Sequence, residues 1–212
     1  MKKRILCFGD SNTWGSIPGG TERFPADVRW TGVLRRELGE EYEVIEEGYN
    51  GRTTVFDDPV EGRLSGLRYF GPCLDSQSPL DLVILMLGTN DLKLRFGVDA
   101  GMSAFGLHRY LDALRVTPMA GERPRLLLAA PIRIDPSYRD STLFLDMFGE
   151  RAAERSEAFA PAYRAFAQEA GVAFLDAAEF ARANPADGIH MAAPDHERLG
   201  KAFAAKVREL LG

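Results

Sequence analysis

Short apolar runs separated by longer stretches of helical periodicity constrain this chain more than any other feature. That alternation belongs to a parallel sheet covered by helices on both faces. Five runs read as strands: residues 4–8, 42–46, 81–87, 125–130 and 172–175. Several are unbroken rather than alternating, as expected of strands buried on both sides. Helical stripes fill the intervals. Trp30, Val33, Leu34 and Leu38 form the first, Leu107, Leu111 and Leu114 a later one, and Leu199, Phe203, Val207 and Leu210 the last, with Pro194 suited to its first turn. Residues 148–170 are rich in Ala, Glu and Arg and also read as helical, with Pro161 either starting a second helix or kinking the first.

Composition narrows the partners. A chain of 212 residues with 45% hydrophobic content buries one sizeable core, and no repeat or low-complexity linker divides it, so a single domain over residues 1–212 is expected. Asp and Glu outnumber Lys and Arg by 31 to 26, a formal charge of −5 that disfavours a hold on nucleic-acid phosphates. The apolar stretch after the basic residues 1–4 ends at Phe8, far short of a signal-peptide core, and no run approaches the ~18 residues of a membrane span. A cytoplasmic protein without a membrane partner is the expectation. The two cysteines, Cys7 and Cys73, lack metal-ligand spacing and read as free buried thiols, and neither a metal nor a cofactor is expected.

The residues that carry chemistry lie where strands end. Gly9-Asp10-Ser11 follows the first strand directly and would present the Ser11 hydroxyl at the carboxyl edge of the sheet, where doubly wound sheets hold their ligands. On its own the triplet fits a helix cap better than a nucleophile. It is neither a Gly-x-Ser-x-Gly elbow, since position 13 is Thr, nor a phosphate loop.

A serine nucleophile needs a base, and the chain has three histidines. His108 and His196 sit among helical residues with charged neighbours, where a solvated side chain is the ordinary reading. His190 lies instead in the loop Asp187-Gly188-Ile189-His190, where an Asp three residues earlier can reach Nδ1 and leave Nε2 for Ser11. An Asp-Gly turn beside an incidental histidine is the alternative. Oxyanion donors would come from the Asn90 amide in Gly88-Thr89-Asn90-Asp91, the Gly51 N–H in Asn50-Gly51-Arg52, and the Ser11 N–H. Each loop also fits a plain turn or cap.

Taken together, Ser11, Gly51, Asn90 and the Asp187-x-x-His190 pair resemble the four sequence blocks of the SGNH (GDSL-type) hydrolase family, in order and spacing, across almost the whole chain. The stretches around residues 4–11, 27–32, 52–54 and 80–91 are similar more specifically to its bacterial arylesterase and acyltransferase (perhydrolase) branch. The loop after Ser16 departs from that branch, being shorter and lacking a second Trp beside Trp14. The resemblance implies a three-layer α/β/α sandwich with a five-stranded parallel, flavodoxin-like sheet. It implies Ser11 as nucleophile, His190 as base, Asp187 as its orienting acid, and Ser11, Gly51 and Asn90 as oxyanion donors.

The function expected on these grounds is hydrolysis of small aryl or alkyl esters through an acyl-Ser11 intermediate, with some transfer to alcohols. A small-molecule ester and an alcohol acceptor are then the partners, and a homo-oligomer is left open. A carbohydrate O-deacetylase, a dedicated acyltransferase and a binding module on the same fold are the alternatives. Trp14, Phe24 and Phe56 are expected as apolar pocket walls because they lie on loops near the nucleophile, with ordinary core as the other reading. No insertion is long enough for a lid, which favours a shallow site.

Overall fold

The computed structural model describes residues 2–212. Its sheet contains β1 (Lys3–Gly9), β2 (Tyr42–Gly48), β3 (Leu82–Met86), β4 (Arg125–Ala130) and β5 (Ala173–Asp176), all parallel, in the order β2-β1-β3-β4-β5. This is the flavodoxin-like order. Each of the five runs is a strand, with ends displaced by at most two residues.

The two-residue period of a strand explains why those runs are unbroken. Ile5 and Cys7 of β1, with Leu82, Ile84 and Met86 of β3, face one helical layer, while Leu6, Phe8, Val83 and Leu85 face the other. The first layer consists of α2 (Trp30–Leu38) and the C-terminal helix (Ala193–Leu211), in contact along their length, with the Trp30 and Phe203 rings 4.6 Å apart. The second contains α3 (Gly66–Gln77), α4 (Ala100–Gly106), α5 (His108–Val116) and α8 (Phe159–Ala170). Four-residue α1 (Ser11–Trp14) follows β1, and α6 (Thr142–Phe148) and α7 (Ala152–Ser156) precede α8. Pro161 lies in the first turn of α8, so the helical stretch begins anew there rather than kinking. Cys7 and Cys73 are free and buried, and no helix among the described residues is long and apolar enough to cross a membrane.

His196 corrects the expectation of a solvated side chain. It shares the C-terminal helix's inner stripe with Leu199 and Phe203, and its ring is fully buried. Nδ1 accepts the Trp30 N–H at 3.2 Å, and Phe24 meets the ring edge-on at 5.4 Å. Charged neighbours in sequence lie on the helix's other face, which is why they misled. His108 is half-buried, edge-on to Phe105 and Phe166.

Burial, helped by the charges of His190 and Arg29, pushes the His196 pKa down to about 4. An unfolded imidazole takes its proton near 6.5, about two units higher. Stability contributed by neutral His196 is therefore complete above that value and lost as pH falls toward 4, on the order of 3 kcal/mol. In urea melts the margin of the wild type over His196→Leu is expected to narrow by that amount from pH 7 to pH 4. A margin that stays constant with pH would refute this reading.

Candidate active site

Four chain segments meet at the carboxyl edge of the sheet, where β1 is flanked by β2 and β3. The turn after β1 holds Ser11. Asp10 caps α1 by accepting the Asn12 N–H at 3.0 Å, and its carboxyl, pushed up to about 6 chiefly by burial, sits against the sheet end. Arg52 closes the same corner from behind. It is buried, its Nη1 donates to the Gly9 carbonyl at 2.8 Å and to the Glu47 carbonyl, and its guanidinium lies 4.1 Å over the Phe8 ring.

The turn after β2 carries Gly51 in the left-handed region at φ +76°, the Arg52 N–H bonding back to the Tyr49 carbonyl. A side chain there would be strained and would press on Arg63 and Glu61. The 3-10 turn after β3, Thr89–Leu92, carries Asn90. Its Nδ2 donates to the Arg52 carbonyl at 3.1 Å, which fixes the nitrogen end of the amide and leaves its second N–H. Asp91 joins these two turns by accepting the Thr54 N–H at 2.8 Å and the Thr54 hydroxyl at 2.6 Å. Burial raises the Asp91 carboxyl to about 6 against those bonds.

The fourth segment precedes the C-terminal helix. Gly188, at φ +71°, lies so close to Tyr138 and Asp135 that a Cβ would fall 2.3 Å from the Tyr138 nitrogen. The tight turn this permits lets Asp187 Oδ1 accept both the Ile189 and His190 N–H groups at 2.9 Å. Asp187 Oδ2 accepts the Gly19 N–H at 2.9 Å and meets His190 Nδ1 at 2.7 Å. Burial pushes the Asp187 carboxyl up, but the His190 bond and charge, with the His190 and Ile189 N–H groups, outweigh it and hold it below the usual carboxylate range. The other imidazole nitrogen, Nε2, lies 3.0 Å from Ser11 Oγ.

A carboxylate on Nδ1 selects the tautomer with a free lone pair on Nε2, and such a ring can accept the Ser11 proton. Among the described residues neither the Ser11 nor the Gly51 N–H is taken by an acceptor. With the spare Asn90 N–H they can serve an oxygen bearing developing charge. No group of His, Cys, Asp and Glu suited to a metal ion occurs among the described residues.

Ser11, His190, Gly51 and Asn90 line one cavity of about 300 Å³. A hollow of about 360 Å³ bordered by Arg133, Asp135 and Asp176 is slightly larger but is lined by no serine, cysteine or histidine. The expected apolar walls are corrected. Trp14 lies under the Arg23 guanidinium, Phe24 packs on His196 and Phe56 on Phe96, and none of the three borders the cavity. Proximity in sequence to Ser11 misled, because those loops turn their aromatics back onto the fold. The apolar wall comes instead from Phe144, Met147, Phe148 and Ile189, with the Phe144 ring 6.3 Å from that of His190. Ser16, Asn50, Glu61, Arg63 and Lys93 supply the cavity's polar lining. Buried Lys93 is tied to Glu61 at 2.6 Å, and Arg95 to the same carboxylate at 2.9 Å. Nothing in the periodicity marked these residues, whereas Asp91 and Arg52 stood inside motifs already singled out.

Residues 7–199 match the model of the GDSL-like lipase/acylhydrolase family. No curated protein matches the chain. Similar solved structures include the aryl esterase of M. smegmatis, at 40% identity over 99% of this chain and 100% of that one, with a TM-score of 0.93. Est24, a carbohydrate acetylesterase from Sinorhizobium meliloti, is 39% identical over 99% and 100% of the two chains, also at 0.93. A carbohydrate acetylesterase family member from the same organism is 34% identical over 99% of each chain, again at 0.93.

Proposed function

The chain belongs to the GDSL-like lipase/acylhydrolase family and has the SGNH hydrolase fold, and from that premise we propose that it hydrolyses small acyl esters, with Ser11 as nucleophile, His190 as general base and Asp187 as orienting acid. The observation that carries this reading is the unbroken chain of short contacts, Ser11 Oγ to His190 Nε2 at 3.0 Å and His190 Nδ1 to Asp187 at 2.7 Å, on the wall of a cavity.

Ser11 Oγ attacks the ester carbonyl carbon as its proton passes to Nε2. The carbonyl oxygen, now carrying the charge, is held by the Ser11 and Gly51 N–H groups and the Asn90 amide. Collapse breaks the bond to the alcohol oxygen, which takes the proton from His190, and the acyl group remains on Ser11. A water then repeats the sequence and releases the acid. An alcohol in place of water returns an ester, which is the acyl-transfer side of the proposal.

The size and lining of the cavity support a small substrate. About 300 Å³ accommodates an acyl group of a few carbons with part of its alcohol, and the Phe144, Met147 and Phe148 wall suits an aryl or alkyl group. The polar lining of Asn50, Glu61 and Arg63 favours a second reading, in which the alcohol is a sugar bearing an acetyl ester. Aryl esters of increasing acyl length are the test, run beside acetylated oligosaccharides and with added short alcohols. Acetate and propionate are expected to turn over fastest, with rates falling steeply beyond about four carbons. Equal rates for long-chain esters would contradict a small acyl site, and faster turnover of the acetylated sugars would favour the second reading. Ester formation no greater than the alcohol-to-water ratio predicts would remove acyl transfer.

A further inference from the structure

We propose that Asn12 is a positioning residue that sets the separation of Ser11 and His190 by clamping the main chain on both sides of His190 to the residue after the nucleophile. The inference rests on the reading of Ser11 and His190 as nucleophile and base. Asn12 Nδ2 donates to the Ile189 carbonyl at 3.2 Å, and Asn12 Oδ1 accepts the Met191 N–H at 3.1 Å. Both bonds are buried, as is the side chain.

The other anchors of the His190 loop show why this clamp matters. Asp187 holds the Ile189 and His190 N–H groups, and Asn184 bonds to the chain at Asp187, Gly188 and His190, so these bonds stay inside the loop. The Asp187 bond to Gly19 reaches a different segment. Among the described residues, only the Asn12 pair and the Ser11–His190 contact link the turn of residues 10–14 to that loop by hydrogen bonds. Without Asn12 the Oγ–Nε2 contact would be the one hydrogen bond left between the two segments among the described residues, while its own proton is in transit.

The chemistry at position 12 requires an amide. One partner is an acceptor and the other a donor, so the side chain must donate from one end and accept at the other within the length of Asn. Leucine matches its size and offers neither group. The two bonds also lie on either side of His190 in the chain, so they restrain rotation of the backbone that carries the ring as well as its distance. A displacement near 1 Å at a reacting pair costs roughly 10²-fold in rate.

The test is kinetic, on Asn12→Leu and Asn12→Ser with an aryl acetate, at a temperature well below the melting point of each variant. The expected result is a fall in kcat of roughly 10- to 100-fold with KM nearly unchanged, and a parallel slowing of Ser11 labelling by a fluorophosphonate. Should the leucine variant fail to fold, the smaller serine variant decides alone. A lowered melting temperature with wild-type kcat and labelling rate would mean a purely structural Asn12 and overturns the proposal, as does an effect confined to KM. Ser11→Ala separates the two levels. Turnover retained in Ser11→Ala defeats the underlying reading, whereas an inactive Ser11→Ala beside fully active Asn12 variants defeats this inference alone.

Discussion

Ser11→Ala is expected to lower ester turnover by several orders of magnitude while leaving the fold intact. The Ser11 side chain makes a single hydrogen bond, to His190 Nε2, and it lines a cavity rather than packing in the core. Removing its oxygen therefore costs about 1 kcal/mol or less of stability. The chemical loss is far larger, because the acyl intermediate cannot form and water must attack an ester that is only positioned and polarised. His190→Ala is expected to be comparably severe, and combining the two should add little, since they act as one unit. Ester hydrolysis, fluorophosphonate labelling and a thermal melt on the same preparations check this. A folded Ser11→Ala that retains its rate would remove Ser11 from the chemistry.

Asp187→Asn is the second large effect, with kcat expected to fall by roughly 10³ to 10⁴ and KM to change little. The carboxylate accepts four hydrogen bonds, from Gly19, Ile189, His190 N–H and His190 Nδ1. An amide keeps the Oδ1 pair, but its NH₂ then faces the Gly19 N–H and His190 Nδ1. The imidazole answers by moving its proton to Nε2, where it points at Ser11 and cannot take a second one. Because Asp187 is held below the usual carboxylate range, it stays ionised as the solution is acidified. An imidazolium cannot accept the Ser11 proton, so the reaction needs the neutral base. Asp187 contributes stability above its unfolded value, lost as pH falls through its lower folded one. A kcat–pH profile of both proteins checks the assignment: a variant as active as the wild type would show that Asp187 only shapes the turn.

The central strands were legible because burial on both faces leaves a short unbroken apolar run, as in Leu82–Met86. Helix stripes such as Trp30 to Leu38 were legible for a similar reason. Pro161 carried its own constraint, and the structure resolves its two options in favour of a new helix. His196 shows the limit of reading neighbours. Its sequence context is charged, yet its position on the stripe with Phe203 puts it in the core, so the helical period was the better guide.

In the candidate site the division falls between local and long-range geometry. Asp187 and His190 are three residues apart on one turn, and a tight turn through Gly188 is enough to bring them together. Residue order and spacing therefore determined the layered α/β fold and drew attention to Ser11, Gly51, Asn90, Asp187 and His190. The tertiary structure alone decided that Ser11 meets His190 across 179 positions of chain, and that Asn12 spans the same gap. It alone supplied Phe144 and Met147 as a wall in place of Trp14, Phe24 and Phe56. Periodicity records how each element buries its own faces, one dimension at a time. Which side chains meet at the sheet edge depends on how loops without any period fold back between distant elements, and that is a property of the packed whole.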